Sequence, residues 1–68
     1  LAHDLAPIET VYGTVRIKVG RRHGQIVNAA PEFEDCVTLA QAAGVPVKEV
    51  LAEASQAWRT QQAASGKR

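Results

Sequence analysis

The chain lacks methionine and has a single cysteine and one each of Trp, Tyr and Phe among its 68 residues. The lone Cys36 excludes an internal disulfide and suits a reducing cytoplasm. No apolar run approaches the roughly 20 residues that a membrane-spanning helix needs, so we expect no membrane partner. Because the sequence has no methionine and opens Leu-Ala-His-Asp, it is predicted to be a fragment of a longer protein.

The chain also lacks a large net charge. Its 8 Lys and Arg residues are nearly balanced by 7 Asp and Glu residues, which gives a net charge of +1. Without a broad basic surface, binding to nucleic acid is disfavoured. Apolar residues make up 46% of the chain, but many are alanines, which bury little area. A core of this size supplies only roughly 3–5 kcal/mol. We therefore expect a homo-oligomer to complete it.

Alternating apolar and polar residues after Gly13 predict a half-buried strand. Its apolar side carries Val15, Ile17 and Val19, and its polar side carries Thr14, Arg16 and Lys18. A glycine-bounded loop from Gly20 to Gly24 and a second strand from Gln25 to Ala30 complete a hairpin. Two strands are marginal alone, so a third is expected from the first eleven residues, from sequence outside the chain or from another subunit.

Two helices are predicted after the hairpin. Pro31 suits a first helical turn, so the first helix is expected to begin at about Pro31 or Glu32 and to stop at Gly44. Its predicted apolar face consists of Phe33, Cys36, Val37, Leu39, Ala40 and Ala43. Pro46 is expected to open the second helix, whose apolar stripe is Val47, Val50, Leu51, Ala54, Ala57 and Trp58.

These elements predict an α+β fold in which an antiparallel hairpin is followed by two helices packed on the face that carries Val15, Ile17 and Val19. The whole chain, 1–68, is predicted to be one small domain. Its predicted segments are a lead-in at 1–13, the hairpin at 14–30, the two helices at 31–60 and a frayed tail at 61–68.

Three carboxylates, Glu32, Glu34 and Asp35, fall in the predicted first turn of the first helix. The simplest explanation is that acids there complement the helix dipole. In the functional alternative, the hairpin brings Arg16 and Lys18 to the same helix end, where a divalent cation bridges carboxylate and phosphate. This alternative predicts a site for a metal–nucleotide complex. Its residues are Glu32, Glu34 and Asp35 for the metal, Arg16 and Lys18 for phosphate, and Tyr12 for stacking on a base.

A competing pattern runs from Leu39 through the Gly44 turn to Val50, with the small residues and glycine turn of a DNA-binding helix-turn-helix. A recognition helix presents Arg, Lys, Gln, Asn or Ser to DNA. This second helix would instead present Glu49 and Glu53 beside Lys48. No pair among His3, His23 and Cys36 has the spacing of a zinc or nickel site.

Three segments together resemble one family: Glu9-Thr-Val-Tyr-Gly-Thr-Val-Arg-Ile-Lys-Val, Pro31-Glu-Phe-Glu-Asp-Cys and Gly44-Val-Pro-Val-Lys-Glu-Val. The chain is similar, over about residues 8 to 59, to the C-terminal region of the nickel-insertion proteins that complete the nickel-pincer nucleotide cofactor of lactate racemase. Val11 stands where proline is common in that family, and Phe33 stands where tyrosine is common.

The resemblance implies a cytoplasmic CTP-dependent nickel chelatase, a lyase of cofactor biosynthesis. Such an enzyme places Ni(II), its substrate metal, into pyridinium-3,5-bisthiocarboxylic acid mononucleotide and cleaves CTP to CMP and pyrophosphate. The C-terminal region of the family binds CTP with Mg or Mn and is expected to oligomerise, so Tyr12, Arg16 and Lys18 would contact nucleotide, and Glu32, Glu34 and Asp35 would contact metal. The isolated fragment is expected to be inactive. A structural oligomerisation module and a helix-turn-helix module remain as alternative functions.

Overall fold

The structure is a computed structural model that describes the backbone of residues 2–66 and the side chains of residues 3–64. Its elements, in chain order, are β1 (Ala2–Thr10), β2 (Gly13–Arg22), β3 (Gln25–Pro31), α1 (Phe33–Ala43) and α2 (Val47–Gly66). The strands form one antiparallel sheet in the order β1-β2-β3. The predicted α+β class is thus confirmed, and the third strand comes from the first eleven residues.

The apolar face of β2 forms the centre of the core, as its alternation predicted. Ile17 is 1% exposed, and Val15 and Val19 are fully buried. Both helices cover this one face. Among the residues whose side chains are described, the buried core consists of Ile8, Val15, Ile17, Val19, Cys36, Ala40, Val50 and Ala54. Trp58 packs against its margin.

A side-chain-stabilised turn joins β1 to β2. Thr10 Oγ1 donates a hydrogen bond to the carbonyl oxygen of Gly13 at 2.8 Å and accepts one from the Tyr12 N–H at 3.0 Å. Gly13 has φ 131°, and a Cβ at this position would lie 2.9 Å from Leu39 Cδ2. Glycine therefore permits both the bend of the chain and the close approach of α1 to the turn.

The predicted loop from Gly20 to Gly24 is wrong in its extent, because β2 continues through Arg22. The turn consists of His23 and Gly24, at φ 55° and 78°. Two residues of positive φ match the right-handed twist of the flanking strands, so they connect a hairpin without a longer loop. Pairing with β1 also supports the extra residues, since Ala2 is the register partner of Arg21.

Helix α1 begins at Phe33, later than predicted. Pro31 is still paired with Ile17 in the sheet, and Glu32 keeps an extended backbone, with φ −68° and ψ 121°. The helix therefore starts beside the sheet edge, and Phe33 in its first turn is 60% exposed, so its predicted place on the apolar face is wrong. Gly44 ends the helix as predicted, at φ 70° and ψ 35°.

Helix α2 continues to Gly66, so the predicted fraying from residue 61 is wrong for the residues described. Gln and Ala, which fill all of positions 61–64, are good helix formers, and within α2 no glycine or proline precedes Gly66. Residues 67–68 of the predicted tail lie outside the described residues. Within the described part of the chain, no helix combines the length and apolar character that crossing a membrane requires.

Candidate functional site

The best-defined polar contact joins the polar side of β2 to the first turn of α1. Arg16 Nε lies 2.9 Å from Asp35 Oδ2, and Arg16 Nη2 lies 2.8 Å from Asp35 Oδ1. The Arg16 backbone N–H donates a third hydrogen bond to Asp35 Oδ2 at 2.9 Å. Both carboxylate oxygens of Asp35 are therefore held by one residue, in a two-pronged geometry that suits the guanidinium.

The local sequence explains why these two residues meet. The last residue of β3, Pro31, pairs with Ile17 in the antiparallel ladder. The next residue of the chain, Glu32, therefore lies beside Arg16. The Glu32 N–H then donates to the Arg16 carbonyl oxygen at 2.8 Å, which fixes the start of α1 beside β2. Asp35, two residues into the helix, consequently lies within reach of the guanidinium. The hairpin was predicted to bring Arg16 and Lys18 to this helix end. The contact confirms the prediction for Arg16, whereas Lys18 forms no hydrogen bond or ion pair with the acidic box among the described residues.

The electrostatics of the pair favour both charged forms. Side-chain and backbone hydrogen bonds from Arg16 hold the pKa of Asp35 at about 2, below its ordinary value of 3.8. The hydrogen bond and charge of Asp35 raise the pKa of Arg16, and the charges of Glu32 and Glu34 add to this effect. The side chain of Asp35 is 18% exposed and that of Arg16 is 52% exposed, so solvent screens the guanidinium more than the carboxylate.

The other two acids of the box differ from Asp35. Among the described residues, no side chain or backbone group donates a hydrogen bond to the carboxylates of Glu32 or Glu34. Glu34 is exposed and Glu32 is half-buried. The carboxylate oxygens of Glu32 and Glu34 can thus still bind a cation or a hydrogen-bond donor, whereas both oxygens of Asp35 already accept hydrogen bonds from Arg16. An open pocket of about 350 Å³ lies beside the pair, lined by Thr14, Arg16, Asp35, Thr38 and Leu39.

Lys18 lies on the same side of β2 as Arg16, between Leu5 of β1 and Ala30 of β3 in the register. It is exposed, and within the described residues it forms no ion pair. Both helices pack on the opposite face of the sheet, so neither α1 nor α2 covers the face carrying Lys18. Its ammonium group is accordingly available to an anion.

Tyr12 lies elsewhere. Its hydroxyl donates a hydrogen bond to Glu49 of α2, and this bond, with the nearby carboxylate charges, raises the pKa of Tyr12 above its ordinary 10.0. The structure does not bring Tyr12 into hydrogen-bonding contact with Arg16, Lys18 or the acidic box. The Tyr12–Glu49 contact was missed from the sequence because the two residues are 37 positions apart and no local pattern links them.

The acidic box does not form a metal cage by itself. In the part of the chain that the structure describes, no three His, Cys, Asp or Glu side chains are arranged to hold a metal ion. Mg²⁺ bound with a nucleotide, however, commonly uses one or two carboxylates and completes its shell with phosphate oxygens and water. Glu32 and Glu34 fit that smaller requirement. Asp35 fits it poorly, because Arg16 occupies its oxygens.

A second ion pair was also missed. Arg21 Nε lies 2.9 Å from Asp4 Oδ2, between β2 and β1. Both side chains are substantially exposed, at 39% and 58%, so the pair contributes little to stability. Predicting it required the existence of β1 and its register, which the sequence left open.

The sequence of the chain is similar to those of known proteins. The sequence profile of the family described as nickel insertion protein matches residues 1–51. A nickel insertion protein of Myxococcus xanthus (strain DK1622) is 56% identical over 54 residues, which are 79% of this chain and 14% of that protein. The pyridinium-3,5-bisthiocarboxylic acid mononucleotide nickel insertion protein of Desulfitobacterium hafniense (strain Y51) is 38% identical over 53 residues, covering 78% of this chain and 13% of that protein.

A solved structure is also similar. It is LarC2, the C-terminal domain of a cyclometallase involved in the synthesis of the NPN cofactor of lactate racemase, in its apo form. The match has a TM-score of 0.79 and 29% sequence identity, and it covers 85% of this chain and 40% of that one. The chain thus spans a small part of the curated relatives and less than half of the solved domain.

Proposed function

The chain belongs to the nickel insertion protein family, and from this premise we propose that it forms part of the C-terminal region of a nickel chelatase. The enzyme would insert Ni(II), as substrate, into pyridinium-3,5-bisthiocarboxylic acid mononucleotide and, as a lyase, cleave CTP to CMP and pyrophosphate. The resemblance to a relative named for insertion into that mononucleotide, and to a cyclometallase C-terminal domain, supports this proposal.

The observation that carries the proposal is the neighbourhood of the Arg16–Asp35 pair. A guanidinium, held in a fixed orientation, lies beside two carboxylates that accept no hydrogen bond from the described residues, and Lys18 follows on the same uncovered strand face. Cations there suit a triphosphate, and the carboxylates suit the divalent metal that accompanies it.

Each residue has a specific proposed role. Arg16 and Lys18 would bind phosphate oxygens, Arg16 through guanidinium hydrogens that Asp35 leaves free. Glu32 and Glu34 would hold Mg or Mn on the bound CTP, and the metal would neutralise phosphate charge there. Asp35, predicted from the sequence as a third metal ligand, is better assigned to holding Arg16 in position. Tyr12 remains a proposed stacking partner for a base, at a turn held to α2 through Glu49.

The proposed setting is a cytoplasmic homo-oligomer that receives the pincer cofactor precursor. The free thiol of Cys36 supports a reducing compartment. The small core, with only eight buried side chains among the described residues, supports self-association. The DNA-binding alternative is not favoured, because the exposed side of α2 carries Glu49 and Glu53 next to Lys48.

Titration with Mg-CTP tests the nucleotide proposal. We expect amide shifts at Arg16 and from Glu32 to Asp35 at millimolar or lower concentrations. Lys18→Ala should weaken binding about tenfold, the loss of roughly one charge-assisted contact. The matched control is Lys48→Ala, which removes another exposed lysine, from α2, and should leave the affinity unchanged. Unshifted spectra at millimolar Mg-CTP, or equal losses for the two variants, would contradict the proposal.

A further inference from the structure

The open cavity beside Arg16 lies where strand β3 stops. Pro31, the last residue of β3, pairs with Ile17, so no residue of β3 pairs with β2 at the level of Thr14. Residues of α1 close that side instead. The cavity is lined by Thr14, Arg16, Asp35, Thr38 and Leu39. Its volume is about 350 Å³, within the range of roughly 300–1,000 Å³ that is typical of sites for small ligands.

The backbone of Thr14 contributes polar groups to this cavity. The Arg16 N–H donates to Asp35 and the Arg16 carbonyl accepts from the Glu32 N–H, so both groups point towards the side of β3 and α1. Backbone groups alternate in direction along a strand, so those of Thr14, two residues earlier, point the same way. Among the described residues, none of β3 pairs with Thr14 there. The cavity wall therefore contains a backbone donor and a backbone acceptor.

The side chain of Thr14 is held against a carboxylate. Thr14 is the register partner of Glu9 in β1, and its hydroxyl donates a hydrogen bond to Glu9 Oε2. This bond orients the carboxylate and uses only the hydroxyl hydrogen, so the Thr14 oxygen can still accept a hydrogen bond. Within the described part of the chain, no group donates to Glu9 Oε1. The Glu9–Thr14 pair thus presents two neighbouring acceptors beside the cavity.

Two neighbouring acceptors suit a ligand that has two neighbouring hydroxyl donors. The 2′- and 3′-hydroxyls of a ribose are such donors, and a carboxylate that accepts a hydrogen bond from a ribose hydroxyl is a recurring feature of nucleotide sites. Leu39 supplies apolar surface in the same cavity for the carbon atoms of the sugar. A phosphate group, in contrast, would be repelled by the charge of Glu9. The chemistry of this end of the cavity therefore favours a sugar.

The order of residues along β2 sets the direction of the nucleotide. Thr14, Arg16 and Lys18 share one side of the strand, and alternate residues of a strand are about 7 Å apart. With the phosphates at Arg16 and Lys18, the nucleoside lies at Thr14, next to the turn that carries Tyr12.

We propose that the cavity holds the ribose of the nucleotide and that the Glu9–Thr14 pair determines specificity for a ribonucleotide, by accepting hydrogen bonds from the 2′- and 3′-hydroxyls. This inference rests on the proposed function and deepens it. It assigns a role to two side chains that neither the phosphate site nor the metal site uses.

Isothermal titration calorimetry of the full chain with Mg-CTP, its 2′,3′-dideoxy analogue and Mg-tripolyphosphate tests the proposal. We expect the wild type to bind Mg-CTP at least about tenfold more tightly than the dideoxy analogue, which cannot donate to the charged acceptor. Glu9→Ala should reduce this ratio at least about threefold. Thr14→Val keeps the shape of the side chain and removes the hydroxyl that orients Glu9, so it should reduce the ratio by a similar factor. Circular dichroism confirms that the variants fold.

The matched control is Asp4→Ala, which removes an exposed carboxylate from the same strand at a position that does not line the cavity. Losing a negative charge strengthens the binding of all three anionic ligands, and this effect cancels in the ratio. A merely structural role for Glu9 would likewise change the affinity for tripolyphosphate as much as that for CTP.

Equal affinities of the wild type for Mg-CTP and its dideoxy analogue, or the same ratio in Glu9→Ala as in Asp4→Ala, would overturn this inference and leave nucleotide binding through Arg16 and Lys18 intact. A wild type that binds no Mg-CTP would overturn the proposed function as well, so the two failures are distinguishable.

Discussion

Replacing Asp35 by Asn tests the contact on which the geometry of the candidate site depends. The amide oxygen, in the place of Oδ2, can still accept hydrogen bonds from the Arg16 backbone N–H and Nε. The NH₂ group then faces Arg16 Nη2, where Oδ1 of the carboxylate had accepted a hydrogen bond of 2.8 Å. Losing a charge-assisted bond of this kind costs about 1.5–3 kcal/mol. The Arg16 side chain is 52% exposed, so we reduce the expected loss to about 1–2 kcal/mol.

The pH dependence of this loss has a definite sign. The pKa of Asp35 is lowered in the folded protein, to about 2 from an ordinary 3.8, so its stabilisation is present above the unfolded value and is lost as the pH falls towards the folded one. The difference in unfolding free energy between the wild type and Asp35→Asn should therefore be constant above about pH 5 and fall to about half near pH 3.

Urea denaturation followed by circular dichroism measures both effects. With a slope of about 1 kcal/mol per molar urea for a chain of this size, the midpoint should drop by about 1–2 M near pH 7. Glu34→Gln is the matched control, because it removes a neighbouring carboxylate from the same helical turn that accepts no hydrogen bond from Arg16. Its loss should stay within about 0.5 kcal/mol, the size of a helix-dipole effect. Equal losses for the two variants, or a loss for Asp35→Asn that does not change between neutral and acidic pH, would refute the assignment.

Three further outcomes follow from the structure. Tyr12 is the only tyrosine in the sequence, so the absorbance of the phenolate reports the titration of this residue alone. Glu49→Gln should lower the raised pKa of Tyr12 towards 10.0, and an unchanged titration curve would exclude the hydrogen bond between Tyr12 and Glu49. The Cys36 thiol is fully buried and burial raises its pKa, so a disulfide reagent should modify it at least about 100-fold more slowly in the folded protein than in urea, and equal rates would show that the core is open. Gly44→Ala should cost about 1 kcal/mol, or a fall in Tm of about 4–8 °C, because φ is 70° there; an unchanged melting curve would mean that the cap rearranges.

The parts of the fold that were predictable are those where a local pattern has one physical meaning. Alternation on β2 determined which side is buried, because a strand places successive side chains on opposite faces. Gly44 marked the end of α1, because a left-handed residue closes a helix with least strain when it lacks a Cβ. The position of Arg16 near the acidic box followed from a hairpin that returns directly into a helix. Each of these inferences needed only neighbouring residues.

The parts that were missed or left open depend on tertiary contacts. Strand β1 has little alternation in its sequence and contains Pro7, and it is stabilised by its register against β2 rather than by its own propensity. Phe33 fits the spacing of the apolar face of α1, but the helix starts at the sheet edge, where nothing in the described chain covers that side chain. Helix α2 continues beyond Trp58, where its apolar stripe ends, because its last residues have a high helix propensity even without a surface to pack on.

The acidic box also shows why three adjacent carboxylates need not share one function. Spacing alone treats Glu32, Glu34 and Asp35 as equivalent, whereas the structure commits both oxygens of Asp35 to Arg16 and leaves the other two carboxylates without hydrogen-bond donors among the described residues. Because Asp35 holds the Arg16 guanidinium, the guanidinium does not pair with Glu32 or Glu34. The Arg16–Asp35 pair thus keeps the guanidinium apart from the other two carboxylates. That separation is what a metal–triphosphate requires, because its phosphate oxygens need cations and its metal needs free oxygen ligands at different positions. Asp35→Asn should therefore weaken Mg-CTP binding indirectly, by freeing Arg16 to pair with Glu32 or Glu34.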